Sequence, residues 1–381
     1  MRLGVQTMGK TLWLRHETKP FEERSALTPE AARTLMMMGH DVIVEKSPIR
    51  CYQDEEFERL GCKVVPTNSW ITDAPTGAII LGLKELEDRD FPLIHRHIHF
   101  AHVYKNQNGA RATLNRFVQG EGKLYDLEYL TDENNKRIAA FGVWAGFVGA
   151  GLGVRLWVSQ QLGRDFNKQA PLKPSASQAE FTNDIATELE NINRKPRVLV
   201  IGARGRCGQG AIKLLNELGL DVTGWGSSDT KGRGPIREIL DFDILVNCAL
   251  MTSKTAPFLD RAMIKEERNL SVISDVGCDP TGPCNSLPIY SQSTTIDKPS
   301  IVLDRNNHLE ITAIDHLPSL LPRESSEDYS EQLLSHLMDF LDNKIENSPW
   351  ERALSWFYTT TMAMDLKEDV LERVKNENKL M

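Results

Sequence analysis

A chain of 381 residues with 40% hydrophobic and 26% charged side chains has the balance of a soluble globular protein, with room for two or three domains. Its net charge of −8 argues against a nucleic-acid partner, which calls for a basic surface. The N-terminus holds no signal-peptide core, and six cysteines without C-x-x-C spacing suggest neither a disulfide scaffold nor a zinc site; a metal-free, cytoplasmic protein with mainly reduced thiols is expected.

In chain order, residues 12–14 are apolar and read as a first strand, followed by a charge-dense stretch over 16–24. Thr28 and Pro29 predict a helix start, the threonine as N-cap and the proline at the first helical position. That helix runs through Ala31, Leu35 and Met38 to Gly39. Residues 41–45 read as a second strand, 57–60 as a helical turn closed by Gly61, and 64–65 as a third strand. Three apolar strands then end in ionisable groups. Residues 77–82 lead into Lys84 and Glu85, 98–102 end at His102, and 124–128 end at Glu128. Strand carboxyl ends are where open α/β sheets place their ligands. Strands alternating with helices over 12–130 predict a first α/β domain with a largely parallel sheet.

Residues 139–156 are apolar and contain five glycines, but Arg137 and Arg155 bound only about 17 residues, short of the ~20 a membrane span needs. The small residues suit a buried helix packed tightly between domains. Residues 163–195 are polar; their first part reads as a surface loop and 178–190 as an exposed helix.

At 198–201, four aliphatic residues read as a strand buried on both faces, and Gly202, Gly205 and Gly208 follow at spacings of three. Ala211, Ile212, Leu214, Leu215 and Leu218 lie at helical spacing, and Gly219 sits where a C-terminal cap belongs. Strand, glycine turn and helix make the phosphate-binding unit of a dinucleotide fold, in which backbone N–H groups and the helix N-terminus face the pyrophosphate. The spacing is not the usual G-x-G-x-x-G, so the flanking strand and helix carry the reading; a glycine-rich turn without a ligand is the alternative. Strands at 221–225, 242–248, 271–276, 299–303 and 309–314 complete a second doubly wound fold. Helices at 326–343 and 349–375 have no strands to pair with and are expected to pack back on the first domain. The predicted architecture is two Rossmann-like, doubly wound α/β domains facing each other across a cleft. Residues 1–138 with 324–381 form the substrate domain, and 139–323 the dinucleotide-binding domain, which includes the interdomain helix 139–162 and the loop and helix of 163–195.

The strings at 17–24, 82–85, 100–105, 124–128, 202–208 and 314–323, in uninterrupted order, resemble the L-lysine-forming saccharopine dehydrogenases. The wider group includes alanine dehydrogenase and the nucleotide-binding part of proton-translocating transhydrogenase. The resemblance implies an oxidoreductase of lysine biosynthesis acting on a CH–NH donor with NAD(P). Saccharopine's secondary amine is oxidised to an imine, which water converts to L-lysine and 2-oxoglutarate. These small molecules are the expected partners, with no nucleic acid or membrane and the chain a monomer or small oligomer.

The same resemblance makes Lys84 and His102 the acid–base pair, with Glu85 and Glu128 tuning them. A lysine is a useful base only when burial or a cationic neighbour lowers its pKa, whereas histidine titrates near the working pH unaided. Solvated strand-end and loop side chains are the bland readings. Arg24 and Arg137 match substrate arginines, suited to bidentate carboxylate binding, with surface salt bridges as the alternative. Lys19, Lys105, Gln107 and Phe141 fall at matching polar or aromatic positions, and Gly277, Cys278 and Asp279 match a substrate-side turn in which Cys278 is a residue change. Cofactor positions by resemblance are Gly202, Gly205, Arg206, Gly208, Leu250, Val276, Ile314, Asp315, His316 and Leu317.

One departure concerns the cofactor. NAD-dependent members place an aspartate after the tryptophan of the second nucleotide-binding strand, where it accepts from the ribose hydroxyls; here Gly226 follows Trp225. Losing that carboxylate, with Ser227, Ser228, Thr230, Lys231 and Arg233 close behind, makes a 2′-phosphate pocket feasible and favours NADP(H) over NAD(H). Asp229 moving round to the ribose would restore NAD use. Leu250 replaces a frequent tyrosine and Lys136 a frequent arginine. Cys207 and Cys248 match two cysteines that can pair in the family, though free thiols are expected here. The competing readings are a dehydrogenase for a simple amino acid or an opine-like conjugate, and a transhydrogenase-like module that binds NAD(P) without turnover. The paired Arg24 and Arg137 count against the simple amino acid.

Overall fold

In the computed structural model, which describes residues 9–365 apart from Asn106 and Thr252, the chain begins with β1 (Thr11–Leu14), whose last three side chains are buried. Helix α1 (Pro29–Met37) starts as its sequence dictates, with the Thr28 hydroxyl accepting from the Ala31 N–H at 3.2 Å. There follow β2 (Asp41–Glu45), α2 (Asp54–Arg59), β3 (Lys63–Val65), α3 (Trp70–Asp73), β4 (Ile79–Leu81), β5 (Arg96–His99), α4 (Ala110–Gly120) and β6 (Lys123–Asp126). All pairings are parallel, in the order β3-β2-β1-β4-β5-β6. The chain winds outward first to one side of β1 and then to the other, so the switch point lies between β1 and β4.

Three elements depart from the expected bounds. Helix α2 starts at Asp54 because the Glu56 carboxylate reaches back to the Gln53 N–H at 2.8 Å. Strand β5 starts at Arg96 and ends at His99, ahead of the expected 98–102, because His97 and His99 point inward and are almost wholly buried. Strand β6 ends at Asp126, two residues before Glu128.

The described chain divides into two compact units, one of residues 9–140 with 326–365 and the other Phe141–Ser325. The second unit opens with α5 (Gly142–Gln161) and α6 (Gln178–Glu190), then β7 (Arg197–Ile201), α7 (Arg206–Glu217), β8 (Asp221–Trp225), α8 (Ser227–Thr230), β9 (Ile244–Asn247), β10 (Val272–Asp275), β11 (Ile301–Asp304) and β12 (Leu309–Thr312). The sheet order is β11-β12-β10-β9-β7-β8, parallel except for β11 against β12. Helix α5 is long and apolar enough to cross a membrane, but 78% of its most apolar stretch is buried inside the protein. Its small residues bring it against α7: a Cβ on Gly146 would lie 1.8 Å from the Cys207 carbonyl oxygen. Helix α6, read as exposed, buries Phe181, Ile185 and Leu189 on one face.

Helix α9 (Pro322–Leu341) carries the chain back into the first unit, where α10 (Pro349–Ala363) follows it; the expected extension to 375 lies outside the described residues. Both helices cover the β5–β6 side of the sheet. Phe340 and Trp350 hold the Tyr125 ring with centroids at 4.7 and 6.1 Å, and Phe357 meets Phe117 at 5.8 Å.

Candidate active site

The switch point of the first sheet is rigidly tied. The Glu17 carboxylate accepts from the N–H groups of Leu83 (2.6 Å) and Lys84 (2.9 Å), and the buried Arg15 guanidinium donates to the Lys84 carbonyl. The backbone under Lys84 is thereby fixed just beyond β4.

Around that point the charged side chains interlock. Arg24 holds Glu22 bidentately, Nε to Oε1 at 2.7 Å and Nη2 to Oε2 at 2.6 Å, with both side chains only 4% exposed. Lys84 Nζ lies 3.9 Å from the same Glu22 carboxylate. Burial, then the Arg24 charge, lowers the Lys84 pKa, and Glu22 opposes them. His102 Nδ1 lies 2.6 Å from Glu85 Oε1 and its Nε2 is 3.9 Å from Glu128 Oε2. The Glu85 hydrogen bond raises the His102 pKa against burial. Burial works against the Glu85 carboxylate but is outweighed by hydrogen bonds from His102, its own N–H and Lys19, which hold its pKa well below the usual carboxylate range. A lysine pushed down and a histidine pushed up titrate closer together than they would in water.

The expected substrate residues divide between the two units. Lys19 pairs with Glu85 (3.1 Å), Lys105 with Glu128 (2.7 Å), and the Gln107 amide oxygen accepts from the Lys105 N–H (2.7 Å). The Glu128 hydrogen bond raises the Lys105 pKa, and the nearby charge of Arg137 works the other way. Arg137 is exposed and bridged antiparallel to Thr131. Phe141 stands at the N-cap of α5 in the second unit.

In that second unit, Gly202 adopts φ +81° and a Cβ there would lie 2.7 Å from the Cys248 carbonyl carbon; a Cβ on Gly208 would lie 2.2 Å from the Gly202 oxygen. The turn therefore requires glycine at both positions. Gly205, the N-cap of α7, provides no side-chain acceptor for the first turn, which begins with Arg206. A compact turn feeding a 12-residue helix without a side-chain cap fits a dinucleotide pyrophosphate. Past β8, the Gly226 N–H donates to Asp229 (2.8 Å), Thr230 Oγ1 donates back to the Gly226 carbonyl (3.3 Å), and Ser227, Ser228 and Lys231 are exposed. Arg233 is ion-paired with Glu238.

At the end of β10, the buried Asp275 accepts from the Tyr290 hydroxyl (2.6 Å), the Asn247 amide (2.9 Å) and the Gly277 and Cys278 N–H groups. That network fixes the turn through Val276, Gly277, Cys278 and Asp279, where Cys278 adopts φ +45° and donates its thiol to the Ala313 carbonyl (3.1 Å). Beyond β12, Ile314 is bridged to Thr294, Asp315 is exposed, the His316 carbonyl accepts from Ser319, and Leu317 is buried in a short 3-10 turn. Leu250 is 86% exposed. Burial pushes the Cys248 pKa up. Among the described residues, no cluster of His, Cys, Asp or Glu is arranged to hold a metal.

Sequence reading overlooked several participants. Glu22 and Asp126 were passed over, though Asp126 is wholly buried between the Ala101 and Glu128 N–H groups with its pKa pushed up to about 6 by burial. Arg204, beside Gly226, was passed over too; the available signal was an arginine inside the glycine turn.

Two open, largely parallel sheets, one with a cluster of ionisable groups beyond its strand ends and the other with a phosphate-type turn, define a two-unit protein of the Rossmann type. The N-terminal and C-terminal domain families of alanine dehydrogenase/PNT match residues 13–148 and 232–360. An L-alanine dehydrogenase structure superposes with a TM-score of 0.65 at 17% identity, covering 91% of this chain and 93% of that one. "Saccharopine dehydrogenase [NAD(+), L-lysine-forming]" of Yarrowia lipolytica is 44% identical over 91% of this chain and 96% of its own length. The protein of that name from Neurospora crassa is 45% identical over 91% and 95%. The chain belongs to the L-lysine-forming saccharopine dehydrogenase family.

Proposed function

We propose that the chain catalyses the reversible oxidation of saccharopine to L-lysine and 2-oxoglutarate with a nicotinamide dinucleotide. The observation that carries this reading is the strand-end cluster of Lys84, Glu22, Arg24, Glu85, His102 and Glu128, joined with family membership. The turn at Gly202, Gly205 and Gly208 holds the dinucleotide, which supplies the hydride acceptor when bound.

Lys84, its pKa lowered by burial and Arg24, takes the proton from the secondary amine as that nitrogen forms the imine. His102 serves the next steps, removing a proton from the water that attacks the imine carbon and protonating the departing lysine nitrogen as the carbinolamine collapses. Glu85 and Glu128 hold its ring and keep its pKa high. Arg24, oriented by Glu22, and Arg137, with Lys19 and Lys105, meet the substrate's three carboxylates.

The names of the relatives carry NAD(+). For this chain we favour NADP(H), because no carboxylate follows Trp225 at the end of β8. The test mixes purified protein with L-lysine and 2-oxoglutarate and follows oxidation of NADH and NADPH separately. NADPH is expected to be consumed faster and only when both substrates are present. Oxidation of neither would overturn the saccharopine reading; clearly faster NADH would overturn only the cofactor preference.

A further inference from the structure

Two neighbouring strand ends in the second unit carry an arrangement that the reaction does not call for. β7 and β8 are paired to their last residues, Ile201 opposite Trp225, and the N–H groups of Gly202 and Ala203 both donate to the Trp225 carbonyl, at 2.9 and 3.0 Å. The glycine turn is thereby tied to the residue before Gly226. Arg204, inside that turn, lies against Gly226: a Cβ built there would have Arg204 Nε, Cδ and Cζ as its nearest atoms, at 3.4, 3.5 and 3.7 Å. In dinucleotide folds an acid about 20 residues beyond the glycine turn receives the ribose 2′-hydroxyl, whereas a nearby arginine accommodates a 2′-phosphate. Here that position has no side chain, and the group closest to it is a guanidinium.

The surrounding groups favour the same ligand. Arg204 is exposed and makes no hydrogen bond or ion pair with the described residues. Asp229, the nearby acid, has its Oδ2 engaged by the Gly226 N–H (2.8 Å) and the Ser228 hydroxyl (3.3 Å). Arg233 is turned to Glu238. We infer that Arg204 is the specificity-determining ligand for a 2′-phosphorylated adenosine ribose, with Gly226 leaving room for the phosphate. This rests on the reading of the chain as a nicotinamide dehydrogenase.

The test is calorimetric titration of the full chain, without substrate, using ADP-ribose and 2′-phospho-ADP-ribose. Wild type binds the phosphorylated ligand more tightly. Arg204→Ala weakens that binding about 10- to 100-fold, the worth of hydrogen bonds to a charged group, and changes ADP-ribose binding less than about threefold. Retained ADP-ribose binding also shows that the variant is folded. Gly226→Asp, whose Cβ meets only ordinary contacts, reverses the preference. Equal weakening of both ligands by Arg204→Ala, or tighter binding of ADP-ribose by wild type, overturns the assignment. Binding of neither ligand to wild type overturns the nucleotide reading beneath it.

Discussion

His102 holds a left-handed backbone, φ +52°, which costs a residue with a side chain about 1–2 kcal/mol. The 2.6 Å contact with Glu85 and the Glu128 carboxylate at 3.9 Å oppose that cost and raise the imidazole pKa. Glu85→Gln removes the strongest support for the imidazolium, so the His102 pKa falls and the limb of the pH–rate profile belonging to it moves to lower pH. A ring titration by NMR and a pH profile should move together; an unmoved titration contradicts the pairing. Lys84, Glu85, His102 and Glu128 were legible from their types and their places at strand ends. Their organiser Glu22 was not, because it meets Arg24 only through the shape of the loop after β1, which has no periodicity. Gly226 was legible from the string after Trp225, but its neighbour Arg204 was not: the two lie 22 positions apart and touch only because β7 and β8 pair.

Strand β5 shows how elements hide. The alternation of His95, His97 and His99 looks polar, yet all three are buried and stack edge to face at 6.3 and 6.0 Å. Burial drives the pKa of His97 and His99 well below the ordinary 6.5, so both are folded in the neutral form. A base whose folded pKa is depressed contributes stability above its unfolded pKa, and that contribution is lost as pH falls below it. Stability should therefore drop as pH passes down through about 6.5, the ordinary histidine value. Asp126, raised to about 6, acts in the opposite sense at lower pH, so the comparison should use His97→Phe. Denaturation curves across this range should be flatter for His97→Phe than for wild type; identical slopes contradict the reading. Helix α5 was legible as a buried helix, but its partner was not, because glycines do not name what they touch. Gly146→Ala must push α5 from α7 and should cost about 1–3 kcal/mol in chemical denaturation, whereas no change would mean that the helices can part freely.

At the scale of the whole chain, the first unit is discontinuous and depends on α9 and α10. Tyr125, Phe117 and Phe100 are covered by Phe340, Trp350, Phe357 and Tyr329 from the C-terminal segment. A chain ending at residue 325 should expose these rings and aggregate or bind a hydrophobic dye; a soluble product with unchanged melting temperature contradicts that dependence. The two doubly wound sheets were legible from alternating strands and helices. The antiparallel β11 was not, since its apolar run reads alike in either direction.

The central claim is that Lys84 moves the proton during a lysine-forming oxidation. Its most direct test is Lys84→Met, assayed with L-lysine, 2-oxoglutarate and the preferred reduced dinucleotide, with dinucleotide affinity measured alongside. Loss of about 100- to 10,000-fold in kcat with unchanged dinucleotide Kd is the predicted result. A variant that turns over like wild type would contradict the assignment.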